Sequence, residues 1–106
     1  MNVSRTNQRS LSRDTFAVLV ALSQGEQIGS NVGSQVIADT LGVYIKPGSL
    51  YSILHRLELT GELECRANIY HLTDKGWRLL THETRTFELL VGIAKRRIIA
   101  AGHGRW

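Results

Sequence analysis

Eight residues near the C-terminus, Trp77, Leu80, Thr84, Phe87, Val91, Ala94, Ile98 and Ala101, follow one another at intervals of 3, 4, 3, 4, 3, 4 and 3. That is heptad spacing held for more than three heptads. Thr73 supplies an N-cap oxygen ahead of it, so the pattern predicts one helix from Asp74 to about Ala101, ~42 Å long at 1.5 Å per residue. A chain of 106 residues makes one domain around one modest core, and a helix of that length projects beyond it. The seam therefore needs a helical partner. Packing on the first helix of the same chain is one solution. A homodimer that uses both helices, with Phe16 beside the seam residues, is the one the length favours.

Composition narrows the class. Hydrophobic residues at 42% and charged residues at 21% are ordinary for a globular protein. The longest apolar run, Phe16 to Leu22, is far short of the ~18 residues of a membrane span. The first residues, MNVSRTNQRSLSRD, are polar and basic, so no secretory signal is expected. A single cysteine, Cys65, leaves no intramolecular disulfide and suits a reducing cytoplasm. The net charge of +4 is unevenly spread. Met1 to Arg13 carries +3, Asp14 to Thr84 carries −3, and Arg85 to Trp106 carries +4.

The chain divides into a flexible basic arm over residues 1–11, a compact unit over 12–73, the long helix over 74–101 and a short tail over 102–106. In the compact unit, Ser12 caps a first helix running to Ser23, with Phe16, Leu19, Val20 and Ser23 on one face and Gly25 as the stop. Gly25 to Gly33 reads as a loop. A second helix covers about Asn31 to Leu41, with Val32, Val36, Ile37 and Leu41 apolar. Pro47 at a first helical position opens a third helix to Thr60, where Leu50, Ile53, Leu54 and Leu57 form the inward stripe. Helix, short turn and helix together make a helix-turn-helix. Leu63 to Arg66 and Ile69 to Leu72 form a hairpin about Ala67 and Asn68. In that register Leu63 faces Leu72 and Cys65 faces Tyr70, all four on the core side. Ala-Asn is not a favoured pair for the tight turn.

With these elements placed, IKPGSLYSILHRLELTGELE (Ile45 to Glu64) and IYHLTDKGWRLL (Ile69 to Leu80) resemble the PadR family of transcriptional regulators. The matching pieces are Pro47-Gly48-Ser49-Leu50-Tyr51, Leu54-x-Arg56-Leu57-Glu58, Gly61, and Tyr70-x-Leu72-Thr73-x-x-Gly76, about 32 residues in fixed order. The single C-terminal helix looks like the smaller PadR subfamily. The resemblance implies a mostly α fold with a small β-hairpin wing (α+β), a winged helix-turn-helix with a long C-terminal helix. It further implies a dimer joined through the terminal helices that represses transcription from palindromic operators. The wing departs from the family pattern, since its tip shrinks to Arg66-Ala67-Asn68. Lys46 departs as well, standing where a small capping residue is usual.

If the third helix reads DNA, the face opposite its apolar stripe presents Gly48, Ser52 and His55, flanked by Ser49, Tyr51 and Arg56. Ser52 and His55 would meet bases or their phosphates, and Lys46, Ser49, Tyr51 and Arg56 the backbone. Arg66 and Asn68 on the wing, with Arg5, Arg9 and Arg13 on the arm, would add sequence-independent affinity. The expected partners are double-stranded DNA and a second copy of the chain, whose interface would contain Phe16, Trp77, Leu80, Thr84, Phe87, Val91, Ala94 and Ile98. The resemblance also allows a small aromatic effector at that interface, near Trp77 or Phe87. No cofactor or metal is implied and no membrane is involved; the expected location is the cytoplasm, on the nucleoid when DNA is bound.

Enzymatic roles fit poorly. His55, His71, His82 and His103 are scattered, and Gly25, Gly29 and Gly33 lack the lysine or strand of a phosphate loop. The rival reading is a protein-interaction module that keeps the dimer helix and leaves the DNA face unused. The −3 charge of the middle segment and the trimmed wing favour it; the PGSLY segment and the basic ends oppose it.

Overall fold

The computed structural model describes residues 11–25, 28 and 33–104. The element order is α1 (Arg13–Ser23), α2 (Gly33–Leu41), α3 (Pro47–Leu59), β1 (Leu63–Arg66), β2 (Ile69–Leu72) and α4 (Asp74–Ala100). The expected basic arm before Leu11, Val32 of the α2 stripe, and the end of the tail lie outside the described residues.

α1 starts where the Ser12 hydroxyl accepts the Thr15 N–H at 3.1 Å, which satisfies a donor that the first turn leaves unpaired. The stripe expected on this helix needs correction. Leu19 is fully buried, whereas Phe16, Val20 and Ser23 are only half-buried; Ala17, Val18, Ala21 and Leu22 are buried in their place. The cause is position: α1 touches α2, α3, β2 and α4, so a helix apolar around most of its girth is the core of the unit.

α2 packs its N-terminal end closely. A Cβ on Gly33 would lie 2.5 Å from the Leu50 side chain and 2.8 Å from that of Ile28. Ile28, in a stretch that reads as loop, is fully buried, and its carbonyl accepts the Tyr70 N–H at 3.1 Å. α3 buries Leu50, Ile53, Leu54 and Leu57 as their spacing predicts.

The hairpin pairs Leu63 with Leu72, Glu64 with His71, Cys65 with Tyr70 and Arg66 with Ile69, which is the expected register. Its turn puts both Ala67 (φ 53°) and Asn68 (φ 65°) in the left-handed region, the tight-turn geometry that disfavours alanine. The expected core side holds for three of its four residues. Leu63 and Tyr70 are buried and Leu72 half-buried, but Cys65, directly opposite Tyr70, is exposed: β2 keeps its cover, whereas β1 is exposed after Leu63.

α4 is capped by the Thr73 hydroxyl, which accepts the Gly76 N–H at 3.2 Å. Its buried positions are Gly76, Leu80 and Glu83, followed by Phe87, whose ring meets Phe16 edge-on at 4.8 Å. The stripe that packs in the chain is thus 76, 80, 83 and 87, and Trp77 and Thr84 stand beside it in solvent. Glycine explains the offset: without a side chain, Gly76 lets the first turn press onto the Glu62 carbonyl and turns the indole of Trp77 outward. Beyond Phe87 the apolar residues are open, including Leu90 at 55%, Val91 at 51% and Ile99 at 51% exposure. Among the described residues no helix is long and apolar enough to cross a membrane.

Candidate nucleic-acid interface

The interface is built on the uncovered side of α3. Lys46 occupies the N-cap position without a side-chain cap bond, and Pro47 follows at the first helical position, where its missing N–H costs nothing. Because the apolar stripe faces α1 and α2, helical geometry leaves Gly48, Ser49, Tyr51, Ser52, His55 and Arg56 exposed, as is Lys46. The structure therefore exposes, on α3 and at its N-cap, all seven residues singled out there from the sequence. Among the described residues, Lys46 and Arg56 form no ion pair, so their charges are available to an outside partner.

Two aromatic rings organise this face. Tyr51 and His55, one turn apart, are stacked with centroids 5.9 Å apart and planes 6° from parallel. The stack sets the two rings side by side on the exposed face of the helix. Tyr70, on β2 of the wing, is electrostatically linked to the same helix. Burial first, then the negative charges that Glu58, Cys65 and Tyr51 can carry, push its phenol above its ordinary value.

The wing is less committed to an external anion. Arg66 is paired with Glu64 at 3.2 Å, although both are largely exposed; such a pair is worth ~0–1 kcal/mol and exchanges readily. Asn68 sits at the exposed tip. Arg13 is exposed on the first turn of α1, and Arg5 and Arg9 lie outside the described residues.

One residue escaped the sequence reading. Tyr44, 62% exposed, stands between half-buried Val43 and buried Ile45, two positions ahead of Lys46. The in-out-in alternation of that extended turn was its only signal.

The residues expected near an effector do not converge within one chain. Phe87 is turned onto Phe16. Trp77 lines a shallow cleft of about 320 Å³ with Arg78, Thr81, His82 and Arg85, and a second of about 390 Å³ that includes Leu22, Ile69 and His71. The dimer-interface set is likewise divided: Phe16, Leu80 and Phe87 pack inside the chain, whereas Trp77, Thr84, Val91, Ala94 and Ile98 are exposed.

No protein-family model matches the chain, and no curated protein does. Solved structures do. A MarR family protein of Mycobacterium tuberculosis superposes with a TM-score of 0.66 at 22% identity over 88% of this chain, which spans 66% of that protein's length. A PadR-like transcriptional regulator from Bacillus cereus gives 0.65 at 19% identity, covering 79% of this chain and 89% of that one. The protein hsRosR-S1, solved as a complex, gives 0.62 at 22% identity, with 87% of each chain covered. Together with the hairpin and the capped helices, these likenesses show that the chain has the winged helix-turn-helix fold, with a long C-terminal helix, that is found in a PadR-like and a MarR family protein.

Proposed function

We propose that the protein is a sequence-specific DNA-binding transcriptional regulator, a repressor, acting as a homodimer on a palindromic operator. The observation that carries this reading is the free side of α3, where Lys46, Ser49, Tyr51, Ser52, His55 and Arg56 are all exposed above a buried apolar stripe. A polar helix face of that kind fits the major groove, with base edges read from the N-terminal half and phosphates held by flanking groups. The structural neighbours support it, since one is a PadR-like transcriptional regulator. The open second half of α4 supports the dimer. Among the described residues nothing covers that seam. A second copy can, and a two-fold dimer sets its recognition helices about one DNA turn apart.

The test is a titration of the protein with its own upstream DNA at several salt concentrations. The expected result is tight binding that weakens steeply as salt rises. His55→Ala is expected to relax sequence preference, whereas Arg9→Ala weakens binding to all sequences alike. The pairing of Arg66 with Glu64 favours a second reading, a winged-helix interaction module for protein partners. Equal affinity for upstream and random duplexes would select that reading and remove the regulator.

A further inference from the structure

α3 and α4 meet at one corner, and the contacts there are unusually direct. Lys75 is the second residue of α4, a poor place for a cation with respect to its own helix dipole. Its ammonium instead reaches back to the other helix, donating to the Thr60 carbonyl at 2.6 Å and lying 3.7 Å from the Glu62 carboxylate. Thr60 is the C-cap of α3, so the cation sits at the negative end of the α3 dipole, where carbonyls lack helical partners. The Glu62 carboxylate is buried and accepts the Thr60 hydroxyl.

Thr73 grips the same turn from the other side. Its N–H donates to the Glu62 carbonyl at 3.0 Å, and its hydroxyl donates to the Gly61 carbonyl at 2.6 Å. That hydroxyl also accepts the Gly76 N–H, so one oxygen both caps α4 and holds the end of α3. Gly76 closes the gap: a Cβ there would lie 2.2 Å from the Glu62 carbonyl oxygen. Three successive residues, Thr60 to Glu62, are thus tied to Thr73 and Lys75 with backbone against backbone.

We infer that this corner, with Lys75 and Thr73 as positioning residues, sets the angle between the recognition helix and the dimer helix and so the half-site spacing that the protein accepts. The inference rests on the DNA-binding dimer proposed above. The geometry makes spacing sensitive to small play. α3 has 13 residues, so its reading end lies ~20 Å from the corner at 1.5 Å per residue. A rotation of about 6° about the corner moves that end by about 2 Å, and opposed shifts in the two protomers change the separation by up to about 4 Å, close to one base-pair step. The side chain of Lys75 is 56% exposed, and without its charge the buried Glu62 carboxylate keeps the Thr60 hydroxyl as a donor.

The experiment measures binding of the full-length protein to duplexes carrying the preferred half-sites at the preferred spacing and at one base pair more or fewer. Wild type is expected to favour one spacing by about tenfold, since the mismatch must be absorbed by deforming DNA. Lys75→Met, which keeps the aliphatic stem, is expected to reduce that ratio to about threefold while leaving the dimer mass and single half-site affinity unchanged. Lys75→Arg should restore the ratio, and Thr73→Val should lower it as Lys75→Met does. Retention of the wild-type ratio by both Lys75→Met and Thr73→Val overturns the inference. If wild type prefers no duplex over random DNA, the regulator reading fails by itself, and the corner is judged on the free protein. Spin labels at Ser52→Cys and Thr81→Cys, in a Cys65→Ser background, then report the α3–α4 distance. A distribution broadened by Lys75→Met supports a corner that sets the angle, and an unchanged one overturns it.

Discussion

The two halves of α4 carry the same apolar periodicity and meet opposite fates. From Asp74 to Phe87 the helix lies against α1, with Leu80 and Glu83 buried and Phe87 against Phe16. From Glu88 to Ala100 the rhythm continues, yet Leu90, Val91 and Ile99 each keep about half their surface in water. The difference is set by α1, which has 11 residues to set beside the 27 of α4. Leu11, just ahead of α1, donates its N–H to Glu83 at 3.3 Å, so the shorter helix begins beside the middle of the longer one. Heptad spacing therefore states that a surface must be covered and is silent on what covers it.

The largest expected effect comes from breaking the open half. In the proposed dimer, Val91→Asp puts two carboxylates into the two-fold interface, one from each copy, and an unpaired charge in an apolar contact costs several kcal/mol. Dimer affinity should fall by a factor of about 100 or more, equivalent to ~3 kcal/mol. Sedimentation reads the change, from about twice 11.8 kDa to 11.8 kDa at micromolar concentration. The thermal midpoint of the dissociated chain should not fall, because Val91 has no cover to lose within the chain. A variant that sediments as wild type would show that the open half is not the dimer seam.

Leu80→Ala tests the closed half and should do the reverse. The side chain is 9% exposed, so truncation leaves a cavity and costs ~2–4 kcal/mol of folding stability, measurable by urea denaturation of the Val91→Asp chain. Run in that background, the cost belongs to a single chain. If Leu80→Ala changed dimer affinity and left monomer stability intact, the division of the helix would be misplaced. Phe87→Ala stands at the boundary and should weaken both properties, the fold by loss of its edge-on contact with Phe16, itself worth ~0.5–1.5 kcal/mol beyond burial.

What could be read from the sequence follows the same division between local rules and long-range cover. The Thr73 cap, Pro47 at the start of α3 and the Leu50–Leu57 stripe depend on neighbours within two turns, and all three stand in the structure. The hairpin register is equally local. Burial of Ile28 depends on contacts with β2 and α2 that no periodicity in its own segment announces. The heptad phase was displaced toward Trp77 and Thr84 because an indole counts as apolar in any pattern, whereas Gly76, the residue at the contact, has no side chain to count. On α3 the exposed face was legible because its complement, the buried stripe, was. Tyr44 was missed because it belongs to no helix and no stripe.

The wing repeats the contrast on a smaller scale, and it supplies the smallest test. Leu63 and Tyr70 are in the core, while Cys65, Arg66, Ala67 and Asn68 stand outside. Ala67, exposed at the tip, is held at φ 53°, in a region that costs a residue with a Cβ ~1–2 kcal/mol. Ala67→Gly removes that cost and gives back part of it in the greater freedom of the unfolded chain, ~0.5–1 kcal/mol. The variant should therefore be more stable by ~0.5–1 kcal/mol, a rise in thermal midpoint of a few degrees for a domain of this size. A fall would mean that the open tip is held by contacts to something else, and the wing would then resemble the closed half of α4. A rise leaves it beside the open half, a surface shaped by local backbone rules and kept free for a partner.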